Sequence, residues 1–163
     1  MVFSAEPIQT VLVSCKATVD ILGKPTLKDN LITINWHMPC SFNPQMYVIS
    51  VGKSRFSAEL LKKSRCFAVN FMPFTAKEKV LFCGRNTGRH IDKFKKAGLT
   101  REESTAIDCP KVAEAVAQLE CEVVDIVEAG DHLLFIGKIL NEVEKGNAPR
   151  LFHTRDDDFT RVI

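Results

Sequence analysis

A chain of 163 residues, 45% hydrophobic and 26% charged, carries enough apolar surface to fold as one domain over residues 1–163, and disorder is excluded as its main state. Its 22 Lys and Arg against 20 Asp and Glu leave a net charge of +2. That cationic excess is too small for a dedicated duplex-DNA binder, but it leaves room for a local pocket for one phosphate group.

The N-terminus MVFSAEPIQT has no basic segment ahead of a long apolar stretch, and no apolar run nears the ~20 residues that cross a bilayer. The expectation is a cytoplasmic protein with no membrane partner. Pro7 opens a β-branched run over residues 8–18, read as a strand that turns near Gly23-Lys24-Pro25. Residues 31–38 alternate: Ile32, Ile34, Trp36 and Met38 share one face, while Thr33, Asn35 and His37 share the other. Period two predicts a second strand, stopped by Pro39, which cannot donate to a ladder, and followed by a loop over residues 40–44. Residues 46–51 (MYVISV) read as a third strand buried on both faces. Ser57 is the expected cap of a short helix over residues 58–63.

Cys66–Phe71 reads as a fourth strand. Helices are expected over residues 75–82, with Thr75 as cap and Gly84 as stop, and over residues 90–97, closed by Gly98. KVAEAVAQLE has helical propensity, but from Leu119 onward apolar and acidic residues alternate, and the phase slips by one near Val123-Val124. That slip predicts a strand with a β-bulge. Gly130-Asp131 then turns the chain into a returning strand over residues 133–143, forming a hairpin. Six or seven strands in so small a chain suggest a closed or nearly closed barrel, which hides its edges.

The six cysteines include no CxxC spacing, which removes zinc-ribbon, iron–sulfur and thioredoxin readings. Most sit in apolar stretches such as RCFAVNF and read as small buried hydrophobes in a reducing compartment. The four histidines share no HxH or HxxxH spacing, so no metal site is expected. GRNTGRH approximates a P-loop but is one residue short and lacks the Lys-Ser/Thr pair; GxGxxG and GxSxG are absent. The densest chemical signal is Gly52-Lys53-Ser54-Arg55-Phe56-Ser57. Two cations, two hydroxyls and free backbone N–H groups at a helix start suit a phosphate monoester. A solvated turn with Ser57 as a simple cap is the alternative.

Several segments in order carry a family likeness: TINWHMPCSFNPQMYVISVGKSRFSAELL, CFAVNF, TGRHIDKFKKAGL, AQLECEVVDIVEAGDHLLFIGKI and LFH. Together they resemble the flavin reductase-like, FMN-binding split-barrel family, near its flavoredoxin type, over roughly residues 7–153. The resemblance implies a mainly β fold, a six-stranded split β-barrel with short helices in the connections. It also implies a homodimer holding one FMN per subunit near the subunit interface. Carried over by motif, Asn35, Trp36, His37, Met38, Pro39, Cys40 and Ser41 would line the flavin ring, and Lys53, Ser54, Arg55 and Ser57 would hold its phosphate. Arg89, Asp92 and Lys93 would lie at the phosphate end; His132 and His153 are candidates to border the open face, with a hydrogen-bonded structural histidine as the equal alternative for either.

Flavin does the redox chemistry in such a protein, so no side chain is expected to act as a nucleophile. The electron donor would be NAD(P)H or a redox protein, and the acceptor a flavin, a metal chelate or a protein. A barrel that binds single-stranded nucleic acid is disfavoured, because most of the 11 Phe sit in apolar runs rather than among cations. The chain departs from the family pattern at Thr87, His90 and Lys138, and in its tail TRDDDFTRVI.

Overall fold

Three tight hairpins organise the main sheet of the computed structural model, which describes residues 3–162. After a single 3₁₀ turn and the two-residue β1 (Ile8–Gln9), β2 (Val11–Ile21) returns directly as β3 (Lys24–Ile34). Leu22 and Gly23 form the connection, both at positive φ (53° and 80°), a two-residue turn whose twist matches the strands it joins. The turn therefore falls one residue before the expected Gly23-Lys24-Pro25. Pro25 sits inside β3, which is tolerated because β3 is an edge strand.

The chain then forms β4 (His37–Phe42), β5 (Gln45–Gly52), α1 (Phe56–Ser64) and β6 (Cys66–Phe71). A 3₁₀ turn at Phe74–Ala76 leads into α2 (Lys77–Arg85), followed by α3 (Lys93–Ala97) and the two-residue strands β7 (Arg101–Glu102) and β8 (Lys111–Val112). The long hairpin β9 (Ala117–Ala129) and β10 (His132–Glu144) turns at Gly130-Asp131 as expected, with Gly130 at φ 60°. Its ladder slips where Ile136 faces Asp125 but Gly137 faces Val123, leaving Val124 as the extra residue of the anticipated bulge. A second slip, with Leu140 unpaired, had no visible counterpart in the alternation. The chain closes with β11 (Arg150–Arg155) and β12 (Asp158–Val162), a hairpin that adds β1 to make a small three-stranded sheet.

The main sheet is seven-stranded and antiparallel, in the order β3-β2-β6-β9-β10-β5-β4. The fold is thus mainly β with helices in the connections, as expected. The hydrogen-bonded ladder has seven strands rather than six, and it does not close into a barrel. Its two edges, β3 and β4, are consecutive in sequence and separated only by Asn35 and Trp36. The sheet curls enough to bring them near each other, and Trp36 O accepts from Ser50 N on β5 at 2.9 Å. Residues 31–38 are therefore two strands, not one. Pro39 lies within β4 instead of stopping it, because β4 pairs on one side only and carries a bulge between Pro39 and Ser41.

Val11, Val13, Cys15, Ile49, Phe67, Leu133 and Phe135 fill the concave face. Leu12, Leu31, Met72, Val80, Phe94 and Leu151 form a second cluster under α2, α3 and β11. β2 is buried on both sides, which explains its unbroken apolar run. β5 is likewise buried at Tyr47, Val48, Ile49 and Val51.

Helix starts differ from the sequence reading. Ser57 lies inside α1, whose N-cap is Arg55 without a side-chain cap bond. Thr75 lies in the 3₁₀ turn, and Gly84 is within α2. α3 begins after Asp92, whose carboxylate accepts from Lys95 N at 3.0 Å, and Gly98 closes it at φ 64° as expected. All six cysteines are free; Cys15, Cys83, Cys109 and Cys121 are buried, but Cys66 is half-buried and Cys40 exposed. Glu120, one of the acidic residues of the alternation from Leu119 onward, is buried, where it binds Lys111 Nζ at 2.9 Å and the N–H groups of Thr105 and Ala106.

Candidate functional site

Two adjoining cavities of about 410 and 280 Å³ share Ile32, Thr33 and Arg55, so they form one groove along the last residues of β3. The turn between β5 and α1 supplies Ser54, Arg55 and Ser57 to the first cavity. Opposite them stand the C-terminal end of α2, the loop through Gly88, and Lys93. The second cavity is walled by Asn35 and Trp36 at the β3–β4 corner, by His132 at the start of β10, and by Ile8, Glu6 and His153 from the small sheet.

Of the three cations that line the first cavity, Arg85 pairs with Asp157, whereas Lys93 and Arg55 pair with no carboxylate among the described residues. Lys93 is 5% exposed, and its ammonium donates to the carbonyls of Leu31 and Cys83, each at 2.7 Å. Burial lowers its pKa, and no carboxylate lies within ion-pair distance among the described residues. Arg55 is exposed and likewise forms no ion pair among the described residues. A buried cation held only by carbonyls, beside a free guanidinium and an uncapped helix start, favours an anion there.

Asn30, 3% exposed, lines the same cavity as Lys93. Its Nδ2 donates to Ser57 Oγ at 2.9 Å, while its Oδ1 is buried with no partner. Gly88 packs on this amide so closely that a Cβ at position 88 would sit 1.9 Å from Oδ1. Asn30 thus keeps one buried acceptor unpaired beneath Gly88. At the far end the Trp36 indole, 45% exposed, lies 4.9 Å from the His132 ring, and Asp131 Oδ1 bonds His132 Nδ1 at 2.7 Å.

The expected site residues divide. Asn35, Trp36, Ser54, Arg55, Ser57, Lys93 and His153 line the groove. His37 does not: its Nε2 donates to Gln9 O at 2.8 Å, so Nδ1 accepts from the Tyr47 hydroxyl at 2.6 Å, and burial lowers its pKa. Met38 is exposed. Pro39, Cys40 and Ser41 border a different, mainly apolar cavity of about 610 Å³ beside Tyr47, Phe71 and Leu119. That cavity is larger, but the unpaired cations converge on the groove.

Lys53 points away, 3.2 Å from Glu128. Arg89 pairs with Glu59 at 2.6 Å and stacks on Phe56. Asp92 caps α3 and binds Arg101 at 2.8 Å; burial pushes its carboxyl up, but the Lys95 N–H and Arg101 outweigh it and hold it below the usual range. Asn30, Ile32, Glu6 and Ile8 belong to the groove without having been singled out. Only Gly88, inside the TGRH stretch, carried a visible signal, since a glycine in a polar loop marks a close approach.

A flavin reductase like domain matches residues 3–160. The chain belongs to the flavin reductase-like family. An uncharacterized protein of Archaeoglobus fulgidus is 38% identical over 121 residues, covering 74% of this chain and 68% of that one. An NADH-dependent FAD reductase of Streptomyces globisporus is 31% identical over 112 residues, 67% of this chain and 59% of its own length. The FMN-binding protein of Thermus thermophilus superposes with a TM-score of 0.85 at 23% identity, covering 99% and 89% of the two chains. Flavoredoxin of Desulfovibrio vulgaris superposes at 0.81 and 19% identity, covering 96% and 87%. These likenesses give the fold of the flavin reductase-like family. Among the described residues no helix is long and apolar enough to cross a membrane.

Proposed function

We propose that this chain binds FMN in the groove and acts as a flavin reductase-like oxidoreductase, passing electrons from NAD(P)H to a flavin, a metal chelate or a protein acceptor. The observation that carries the reading is the pair of carboxylate-free cations, Arg55 and Lys93, in a groove whose far part holds Trp36 beside His132. Arg55, Lys93, Ser54 and the α1 start would hold the phosphate. Ile32, Ile34 and Trp36 would border the ring. When bound, FMN supplies a two-electron centre that also passes electrons singly. The side chains bind, orient and exclude water.

The curled sheet is read as the split barrel of the family. A homodimer follows the same reading, and the free cysteines fit a reducing cytoplasm. The test is a visible spectrum of the purified protein with added FMN, followed by NADH or NADPH without oxygen. Yellow protein that bleaches with a nicotinamide is the expected result. A colourless protein that takes up no FMN overturns the reading. The likeness to flavoredoxin favours a second reading, an electron carrier reduced by a protein partner. In that case FMN binds but neither nicotinamide bleaches it.

A further inference from the structure

Lys93 brings its charge to the groove from a helix too short to place itself. α3 has five residues, well below the ~12–15 that a helix needs to hold together in water without tertiary support. On the groove side the ammonium is fixed by carbonyls of two different elements, Leu31 O on β3 and Cys83 O on α2. On the outer side the backbone that carries it is gripped by a charged cluster that the proposed electron transfer leaves without a task.

Three contacts fasten residues 91–93 to β3. Lys28 Nζ donates to Ile91 O at 3.2 Å, and Lys93 Nζ donates to Leu31 O at 2.7 Å. Between these two, Arg101 of β7 bridges a pair of carboxylates. Its Nε and Nη2 donate to the two oxygens of Asp29 at 2.8 and 3.1 Å, and Nη2 also donates to Asp92 Oδ1 at 2.8 Å. Its guanidinium lies over the Phe94 ring at 4.5 Å, and Phe94 is fully buried in the second cluster. A planar fork can span two carboxylates and an aromatic face at once; a single ammonium cannot. Asp92 Oδ1 also accepts from Lys95 N at 3.0 Å, so the oxygen that Arg101 grips is the one that caps α3. Asp29 and Leu31 are two positions apart on β3, and Asp92 and Lys93 are neighbours. The outer bridge and the Lys93 bond therefore join the same two stretches of chain from opposite sides.

We infer that Arg101 is a positioning residue for the phosphate end of the groove, setting where the Lys93 ammonium stands by bridging Asp29 and Asp92, which rests on the flavin reading above. Arg101 lines neither cavity of the groove, so it acts through Lys93 and not on the ligand. Because the bridge is built from opposite charges, position and charge can be told apart. Removing the Arg101 charge alone would weaken the binding of an anion, and removing the Asp29 charge alone would strengthen it. Loosening the bridge weakens it in both cases.

The test is fluorescence titration of FMN and riboflavin against the native protein and its R101Q, R101K and D29N variants. The ratio of the two affinities is the readout, because a general loss of structure lowers both flavins together. R101Q is expected to weaken FMN roughly 3- to 10-fold and scarcely to move riboflavin. R101K keeps the charge but lacks the fork, and is expected to lose as much. D29N offers the fork one acceptor oxygen in place of two, and is also expected to weaken FMN. FMN affinity unchanged in R101Q, restored in R101K, or unchanged or strengthened in D29N overturns the inference, and so do equal losses for both flavins. Nitrogen-15 spectra of the lysine ammonium groups in the native protein give a check that needs no variant. The Lys93 signal is expected to shift with FMN and not with riboflavin, and a signal unmoved by FMN also overturns the inference. Native protein that takes up neither flavin would instead remove the flavin reading itself.

Discussion

Replacing Arg55 by Ala probes the phosphate end most directly. Its guanidinium has no ion-pair partner among the described residues, so its removal leaves no carboxylate stranded. The loss should therefore report the ligand contact alone. A hydrogen bond to a charged group contributes ~1.5–3 kcal/mol. Arg55 is exposed, and water screens its charge, so the expected loss sits at the lower end, about 1.5–2 kcal/mol. That corresponds to an FMN dissociation constant raised roughly 10- to 30-fold. Lys93, buried nearby, remains to hold part of the charge. Riboflavin, which lacks the phosphate, should scarcely respond. Lys53→Ala is the matched control: Lys53 carries the same charge two positions away but is turned toward Glu128. Fluorescence titrations of both flavins against the native protein and the two variants supply the numbers. Equal losses for FMN and riboflavin, or a larger effect at Lys53 than at Arg55, would refute the assignment.

Trp36 is the sole tryptophan, so flavin binding should quench the protein's indole emission, and Trp36→Ala should weaken FMN and riboflavin alike by ~0.5–1.5 kcal/mol, read from the same titrations. A Cβ at Gly137 would lie 2.7 Å from Phe67 Cζ and 2.8 Å from Cys121 Cβ, so Gly137→Ala should destabilise the fold by ~1–3 kcal/mol in denaturant unfolding. Burial pushes the Glu120 carboxyl up, but Lys111, the Ala106 and Thr105 N–H groups and Asn141 outweigh it and bring it down to about 2. A lowered folded-state pKa contributes stability above the unfolded value of 4.5 that disappears as pH falls through about 2. Unfolding free energy should therefore drop by about 3 kcal/mol across that window, and Glu120→Gln should flatten the drop. An unchanged acid limb in the variant would assign the loss to other carboxylates.

The residues that could be read in advance were those whose role is local. The bulge at Val124 announces itself as a phase slip, the αL position at Gly98 as a glycine closing a helix, and the cationic helix start as four polar residues in five positions. Each is a statement about neighbours along the chain, where geometry and sequence share the same ruler. The errors fall where two distant segments decide the outcome. Alternation continues smoothly from Ile32 to Met38, yet the sheet must curl at Asn35-Trp36 to bring β4 beside β5 instead of extending β3. Nothing in a period-two pattern marks that corner, because both strands alternate.

The corner then splits the expected flavin loop. Asn35 and Trp36 stay on the groove, while Pro39, Cys40 and Ser41 are carried to the other cavity. Glu6 is the extreme case: before a proline in a polar N-terminal stretch it looks solvated, and only the return of β11 alongside β1 buries it against His153. Cations show the same limit from the other side. Lys53, Arg55, Arg89 and Lys93 are indistinguishable as charges in the sequence, and two of the four are already neutralised by Glu128 and Glu59 from remote elements. A site for an anion is defined by the cations that the fold leaves unpaired, so Arg55 and Lys93 become separable from the others only once every carboxylate has been placed.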